Sequence, residues 1–546
     1  MKRNKPVYYK VKKFSSIREL LDIAGREAGE TIAFKYKNGD DVVSVTYKEF
    51  IEQTENLGAA LTKSGFGKSH IACLSGNSYK WIVTYLTVLK SAGVFVPIDR
   101  ELPAADLINV INDSDSSVLF YSKRFEGFLK ENLDKIPNIK LFVGMDRDED
   151  EGPFLSFDKL VEQGKSFDRT EYDTSRSDPF SMKMLVYTSG TTGASKGVML
   201  SEHNLVSSVY YGMQVSTVYD TCLSVLPYNH TYEAVSGILV SLHHHSTICI
   251  NDSYASVAKN LKIFKPSYVY LVPAFVEVFY ANILNAIEKQ GKKKAFGVLI
   301  KLSNGLRKAG IDLRKKLFKQ IHKNFGGRLI KIVCGGAPIR PEIGRFFDDI
   351  GINLINGYGI TECSPLVCAN NDYFNDVNTA GLKLPCIEWR IDSPNEEGIG
   401  EICVKGDIVM LGYYKRPDLT SEVLIDGWFY TGDYGIINDK DQLIITGRKK
   451  NIIVLSSGKN VYPEEIENYI QSIDYIKEVV VRGVENEMGS QNALMAEVYI
   501  GEPKDQQKVM KDITEVCRVL PVYKRVTSVV IRNEEFPKTT SKKIRR

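Results

Sequence analysis

The stretch from Lys183 to Leu200, KMLVYTSGTTGASKGVML, constrains the fold of this chain more than any other. Residues 183–189 read as a short β-strand. Tyr187–Leu200 then brings together Ser/Thr hydroxyls, three glycines and Lys196. Glycines let backbone N–H groups approach an anion closely, hydroxyls add donors, and the lysine adds positive charge. Residues 201–213, SEHNLVSSVYYGM, read as a helix, and a helix N-terminus next to the loop would also favour an anion. The physical reading is a phosphate-binding loop in an α/β fold. It is not a Walker A loop, which needs GxxxxGK[ST]. Counting from Gly190, the second glycine position holds Ser195, and Gly197 follows Lys196.

Short β-branched runs recur between longer helical stretches: CLSVLP (222–227), STICI (246–250), YVYLV (268–272) and LIKIVC (329–334). That alternation predicts parallel sheets covered by helices. The last hundred residues carry their own pattern: strands near 443–446, 451–455, 478–484, 494–500 and 525–531, with helices from Pro463 and near 505–519. With 546 residues, more than one domain is expected. The most apolar run, Trp81–Ile98, is broken by Lys90, Ser91 and Gly93, so it reads as a buried helix and a strand, not a membrane span. The triplet His243–His245 invites a metal reading. Neighbours on a strand would point to opposite faces, and the usual ligand spacing is missing, so no site is expected there.

A formal net charge of +4 hides three basic blocks. Residues 1–13 hold six Lys/Arg and no acid; residues 289–331 hold fourteen and only Asp312; residues 523–546 hold eight against two acids. The central block is either a well-solvated set of helix faces or a docking surface for anionic lipid or an acidic carrier protein. No stacking platform or recognised module supports a nucleic-acid partner. The N-terminal MKRNKPVYYKVKKF has no apolar core of a signal peptide, and nine cysteines without a CxxC pair favour a reducing compartment. The expectation is a cytoplasmic protein, with peripheral contact at a membrane.

Further motifs follow in order along 187–546. They are Gly335-Gly336-Ala337-Pro338, Tyr358-Gly359-Ile360-Thr361-Glu362, Gly400-Glu401 with Gly412-Tyr413-Tyr414, and Trp428–Asp433 (WFYTGD). Then come Gly447-Arg448-Lys449-Lys450, Ser457-Gly458 with Pro463–Glu467, Leu520–Lys524 (LPVYK), and the terminal PKTTSKKIRR. Together with TSGTTGASKGVMLSEHN, this series resembles the adenylate-forming superfamily of acyl-CoA synthetases, luciferases and peptide-synthetase adenylation domains. The resemblance implies a large AMP-binding domain over 1–448, of stacked α/β sheets plus a β-subdomain, and a small mobile α/β lid over 449–546. It implies a carboxylate attacking the α-phosphate of ATP to give an acyl-adenylate and pyrophosphate, then thioester formation with coenzyme A.

The same resemblance implies roles residue by residue. Thr188, Ser189, Gly190, Thr191, Thr192, Gly193 and Lys196 would cradle the β/γ-phosphates. Glu362 would hold Mg²⁺, with Thr361 beside it on phosphate. Tyr358 and Gly359, with Gly336 and Ala337, would form the adenine site, and Asp433 would bind the ribose hydroxyls. Arg448 would contact the nucleotide, Lys450 would be the hinge, and Gly458 would line the pantetheine tunnel. Lys543 would bridge carboxylate and α-phosphate. The family's PxTxxGK pattern places glycine where Lys542 stands, so Lys542 is a rival for that role.

Leu226–Glu233 (LPYNHTYE) and Phe325–Leu329 resemble segments of long-chain fatty acyl-CoA synthetases, which would put His230 near the acyl entrance. The expected activity is thus an acid–thiol ligase acting on a long-chain fatty acid, with ATP, Mg²⁺ and coenzyme A. The alternatives are an acyl–acyl-carrier-protein synthetase, an aryl- or medium-chain CoA ligase, or a non-catalytic nucleotide- or fatty-acid-binding relative.

Overall fold

The computed structural model describes residues 6–189, 195–456, 459–485, 491–538, 544 and 546. The chain forms two compact units, Met1–Glu388 with Lys405–Gly427, and Trp389–Val404 with Trp428–Arg546. Residues 448 and 449, where the expected division falls, both lie inside the second unit. There Trp428–Ile437 pairs antiparallel with Gly400–Gly406 on one side and Gln442–Arg448 on the other.

The first unit contains two sheets. In one, Ile32–Asn38, Thr247–Ile250, Thr221–Ser224, Tyr268–Leu271, Lys331–Cys334 and Asn353–Gly359 run parallel in that spatial order. Leu366–Ala369 and Gly381–Lys383 then continue antiparallel. In the other, Met182–Ser189, Val94–Pro97, His70–Leu74, Val118–Tyr121, Leu141–Gly144 and Phe154–Ser156 are parallel neighbours. Strands such as Tyr268–Leu271 and Val118–Tyr121 are buried at every residue, as parallel strands covered on both faces must be. The helix Tyr79–Lys90 is buried at every residue but Lys80, and the strand Val94–Pro97 is wholly buried, as the broken apolar run predicted.

Two local expectations change. The glycine-rich loop joins an antiparallel hairpin: Met182–Ser189 pairs with Ser195–Ser201, and the helix Glu202–Val215 starts only after that second strand. Its N-terminus is therefore a strand's length from the loop. Ser201 caps the helix, its hydroxyl accepting from the Asn204 N–H while the Asn204 side chain accepts from the Ser201 N–H. The histidine triplet is not on a strand either. His243 ends the short helix Val240–His243, and His244 and His245 form the turn into Thr247–Ile250.

In the second unit, Ile476–Glu485 and Gln491–Ile500 are antiparallel, and Ser528–Arg532 joins the latter in parallel. The helices Pro463–Ile470 and Gln506–Val516 supply Ile466, Val509 and Ile513 to a core with Val479, Val481 and Val498. Pro463 takes the first helical position, where its missing N–H would have no partner anyway, and Glu464 and Glu465 complement the helix dipole.

Candidate active site

Thr188 and Ser189 end the first strand of the hairpin, in register with Lys196 and Ser195. The hairpin is fastened from the side, where the Tyr187 hydroxyl donates to Asp113 (2.6 Å) and that of Tyr414 to Asp115 (2.7 Å). Beside it, Gly412–Tyr413 pairs with Val198–Met199. Tyr413 makes the link that the motifs do not reveal. The Lys196 ammonium sits 4.5 Å from its ring centroid, and its hydroxyl donates to Glu362 Oε1 at 3.0 Å. One tyrosine therefore joins the lysine of the glycine-rich segment to the acid of the YGITE segment. Burial first, then the Glu362 charge, holds the Tyr413 phenol protonated. The turn Thr361–Cys363 is pinned by the Met410 N–H donating to the Glu362 carbonyl (2.8 Å).

Tyr358 lies buried on Asn353–Gly359, and Gly335 and Gly336 follow the neighbouring strand Lys331–Cys334. Gly336 has φ of +84°, and Ala337 beside it is exposed. Gly359 has no room for a side chain, because a Cβ there would sit 2.1 Å from the Pro365 carbonyl oxygen.

These strand ends form one side of a cleft with about 820 Å³ of free space, its open mouth included. Met213 on Glu202–Val215, Val235 and Val240, Val333, Ile355 and Leu366 supply much of its apolar wall. Serine, threonine and tyrosine hydroxyls add polarity, but among the described residues none that lines it is Asp, Glu, Lys, Arg or His. Gly212 also lines it, and a Cβ there would sit 3.2 Å from Leu366 Cδ2.

Tyr232–Leu239 winds as a π-helix. Such i→i+5 turns are rare and recur at functional sites. Tyr232, Val235 and Ser236 face the cleft. His230 stands just before the π-helix and is not part of the cleft lining; its carbonyl accepts from the Glu233 and Ala234 N–H groups. Glu233 turns into the core and is fully buried. The Ser224 hydroxyl donates to its Oε1 at 2.5 Å and lies 3.0 Å from the Tyr228 hydroxyl, while Oε2 has no hydrogen-bond partner among the described residues. Burial pushes its pKa up to about 8, against the Ser224 hydroxyl and Leu226 N–H. The carboxyl is therefore mainly neutral at pH 7. Its place in LPYNHTYE was visible in the sequence, but its burial was not.

In the second unit, Asp433 is 4% exposed, and Arg448 Nε lies 3.0 Å from its Oδ1, the two residues being cross-strand partners. Buried Glu401 accepts from the Gly432 N–H (3.0 Å) and from Lys449 (2.6 Å), which shapes the turn before Asp433. Lys450 lies on the turn Lys449–Asn451; burial, then Arg448 and Arg546, pull its pKa below the usual lysine value. Gly190, Thr191, Thr192, Gly193, Gly458, Lys542 and Lys543 lie outside the described residues. Among the described residues, no group of three or more His, Cys, Asp or Glu side chains gathers as a metal cage.

The sequence profile of the AMP-binding enzyme family matches residues 21–414, and that of the AMP-binding enzyme C-terminal domain matches 450–546. A long-chain-fatty-acid–CoA ligase of Mycobacterium bovis is 30% identical over 440 residues, covering 76% of this chain and 70% of that protein. A chloroplastic long-chain-fatty-acid–[acyl-carrier-protein] ligase of Arabidopsis thaliana is 27% identical over 552 residues, covering 86% and 75%. The fold is similar to the crystal structure of an anthranilate CoA ligase in complex with anthranoyl-AMP, with a TM-score of 0.79, 18% identity, and 99% and 96% of the two chains covered.

Proposed function

The chain belongs to the AMP-binding enzyme family, and from that premise we propose that it activates a long-chain fatty acid with ATP and passes the acyl group to coenzyme A. The observation that carries the acid class is the cleft. It is mainly apolar, has no Asp, Glu, Lys, Arg or His among the described residues that line it, and opens beside Tyr358 and Gly335–Gly336. An uncharged tail gains by leaving water there, whereas a polar acid would lose its hydration. The similarity to a long-chain-fatty-acid–CoA ligase supports the same class.

The proposed chemistry begins with the fatty carboxylate attacking the α-phosphorus of ATP, with pyrophosphate leaving. Thr188, Ser189 and Lys196, with Gly190–Gly193, would bind the β- and γ-phosphates through N–H, hydroxyl and ammonium groups. Tyr358, Gly336, Ala337 and Gly359 would flank the adenine. Asp433 would accept the ribose hydroxyls and Arg448 would hold the nucleotide. Glu362 would hold Mg²⁺, a hard cation suited to carboxylate and phosphate oxygens, which would supply positive charge at the phosphates. Tyr413 would keep Glu362 aimed. Thr361 would contact phosphate, and Lys543 would neutralise the developing charge between the two anions. Residues 449–546 would act as the lid, hinged at Lys450, with Gly458 along the path of the thiol. The CoA thiolate would then attack the acyl carbon and release AMP. His230 would act from the base of the π-helix on the acyl side.

Pyrophosphate exchange across a panel of acids tests the reading: exchange with C12–C18 acids is expected, and exchange confined to aryl or short acids would overturn it. The relative that is a carrier-protein ligase favours a second acceptor. Supplying the enzyme with acid and ATP, then CoA or an acyl carrier protein, shows which thiol takes the acyl group.

A further inference from the structure

The central basic block separates into two populations. Arg307, Arg314, Arg328 and Lys331 are committed to carboxylates of the chain itself. Arg307 and Arg314 grip Asp348 at 2.8 and 3.1 Å, Arg328 meets Asp220, and buried Lys331 meets Asp372. Lys293 pairs with Glu288 at 3.6 Å. The other nine cations between 289 and 331 are all lysines, all exposed, and none forms an ion pair among the described residues. The helix Lys293–Lys308 shows how they are arranged. Only Ser303 of its side chains is buried. Val298, Lys301, Leu302 and Lys308 stand four, seven, eight and fourteen positions after Lys294, close to whole helical turns, so the five share one solvent-facing stripe. Val298 is 66% exposed and Leu302 55%, among the most exposed large apolar side chains of the chain. The acid nearest in sequence, Asp312, is occupied by Arg314.

We propose that this helix face docks the protein on an anionic lipid surface, with Val298 and Leu302 entering the headgroup boundary and the flanking lysines contacting lipid phosphates and carboxylates. Two observations favour a bilayer over an acidic carrier protein. Protein interfaces are depleted in lysine, whereas surface-bound helices are rich in it, because its long stem lets the ammonium reach the headgroups while apolar neighbours go deeper. The arginines, which suit fixed bidentate contacts, are all paired with carboxylates of the chain itself. No helix among the described residues is long and apolar enough to cross a membrane, so the contact is one of surface docking. This inference goes beyond the proposed chemistry and does not depend on which acid is activated.

Co-sedimentation of the full chain with phosphatidylcholine vesicles, with and without phosphatidylglycerol, tests it. Binding is expected only with the anionic lipid, and it should weaken steeply with salt. K294E/K301E should weaken partitioning at least tenfold, and V298S/L302S several-fold with the loss persisting in high salt. Both variants should keep the native melting point and the native turnover of a short, water-soluble acid. The proposal is overturned if the unaltered protein ignores anionic vesicles, or if either double variant sediments like it. It is equally overturned if the same substitutions abolish binding to an acyl carrier protein while vesicle binding is unchanged.

Discussion

Substituting glutamine for Glu233 turns a buried carboxyl into a measurable pH dependence. In the folded protein burial holds this group's pKa at about 8; in the unfolded chain it ionises near ~4.3. Between those two values the unfolded state has released its proton and the folded state has kept it. Stability therefore falls as pH rises through that window and levels off above it. One pH unit corresponds to about 1.4 kcal/mol, so by pH 8 the loss is on the order of 5 kcal/mol. E233Q keeps the shape and the contact with Ser224 but has no proton to lose. Melting curves of native and E233Q protein between pH 5 and 9 isolate the effect, because every other titrating group is shared. The variant should gain on the native protein steadily up to pH 8, and the difference should stay flat beyond. E233A should follow the same trend with a constant offset for the lost contact and the void. Parallel native and E233Q curves across the whole range would refute the reasoning, for they would mean that Glu233 is ionised in its buried site. The function should respond in kind. Ionisation above pH 8 disturbs the π-helix whose Tyr232, Val235 and Ser236 line the cleft, so KM for a long acid should rise there while KM for a short acid holds.

Y413F removes the hydroxyl that Glu362 accepts from; hydrogen bonds to charged groups are worth about 1.5–3 kcal/mol, so pyrophosphate exchange should fall at least tenfold and need more Mg²⁺, and an unchanged Mg²⁺ dependence would sink the role. G359A forces a Cβ to 2.1 Å from the Pro365 carbonyl, and should lower the melting point sharply and abolish exchange. G212V adds bulk to the cleft wall beside Leu366, its Cβ 3.2 Å from Leu366 Cδ2; losing room for two methylenes, at about 0.8 kcal/mol each, should reduce kcat/KM for long acids about tenfold and spare short ones. R546A leaves Glu467, whose pKa burial raises to about 7, without the arginine that opposes the rise. The contribution of Glu467 to stability, which levels off near pH 7 with Arg546 present, should go on falling above it in the variant, as unfolding of both proteins at stepped pH would show.

Legibility in the sequence followed how local each determinant is. Tyr268–Val272 could be read as a strand because a parallel strand covered on both faces leaves an unbroken apolar run. The helix after Ser201 was visible from its composition and its start. The return strand Ser195–Ser201 was not, because Ser195, Lys196 and Gly197 have weak strand preference and owe their conformation to pairing with Met182–Ser189 and Gly412–Tyr413. The same limit governs charge. Counting put fourteen cations in one block, yet the carboxylates that neutralise Arg307, Arg328 and Lys331 come from positions 348, 220 and 372, which only folding brings near. Glu233 and Tyr413 show it for the site: both stood in motifs whose other members drew the attention. One became a neutral acid because the core closed over it, and the other became a link because two distant segments met on its ring and hydroxyl. A motif therefore marks where reactants bind, while the groups that set its protonation and aim are fixed by long-range packing, and those are the groups whose substitution separates this chain from any other bearing the same motifs.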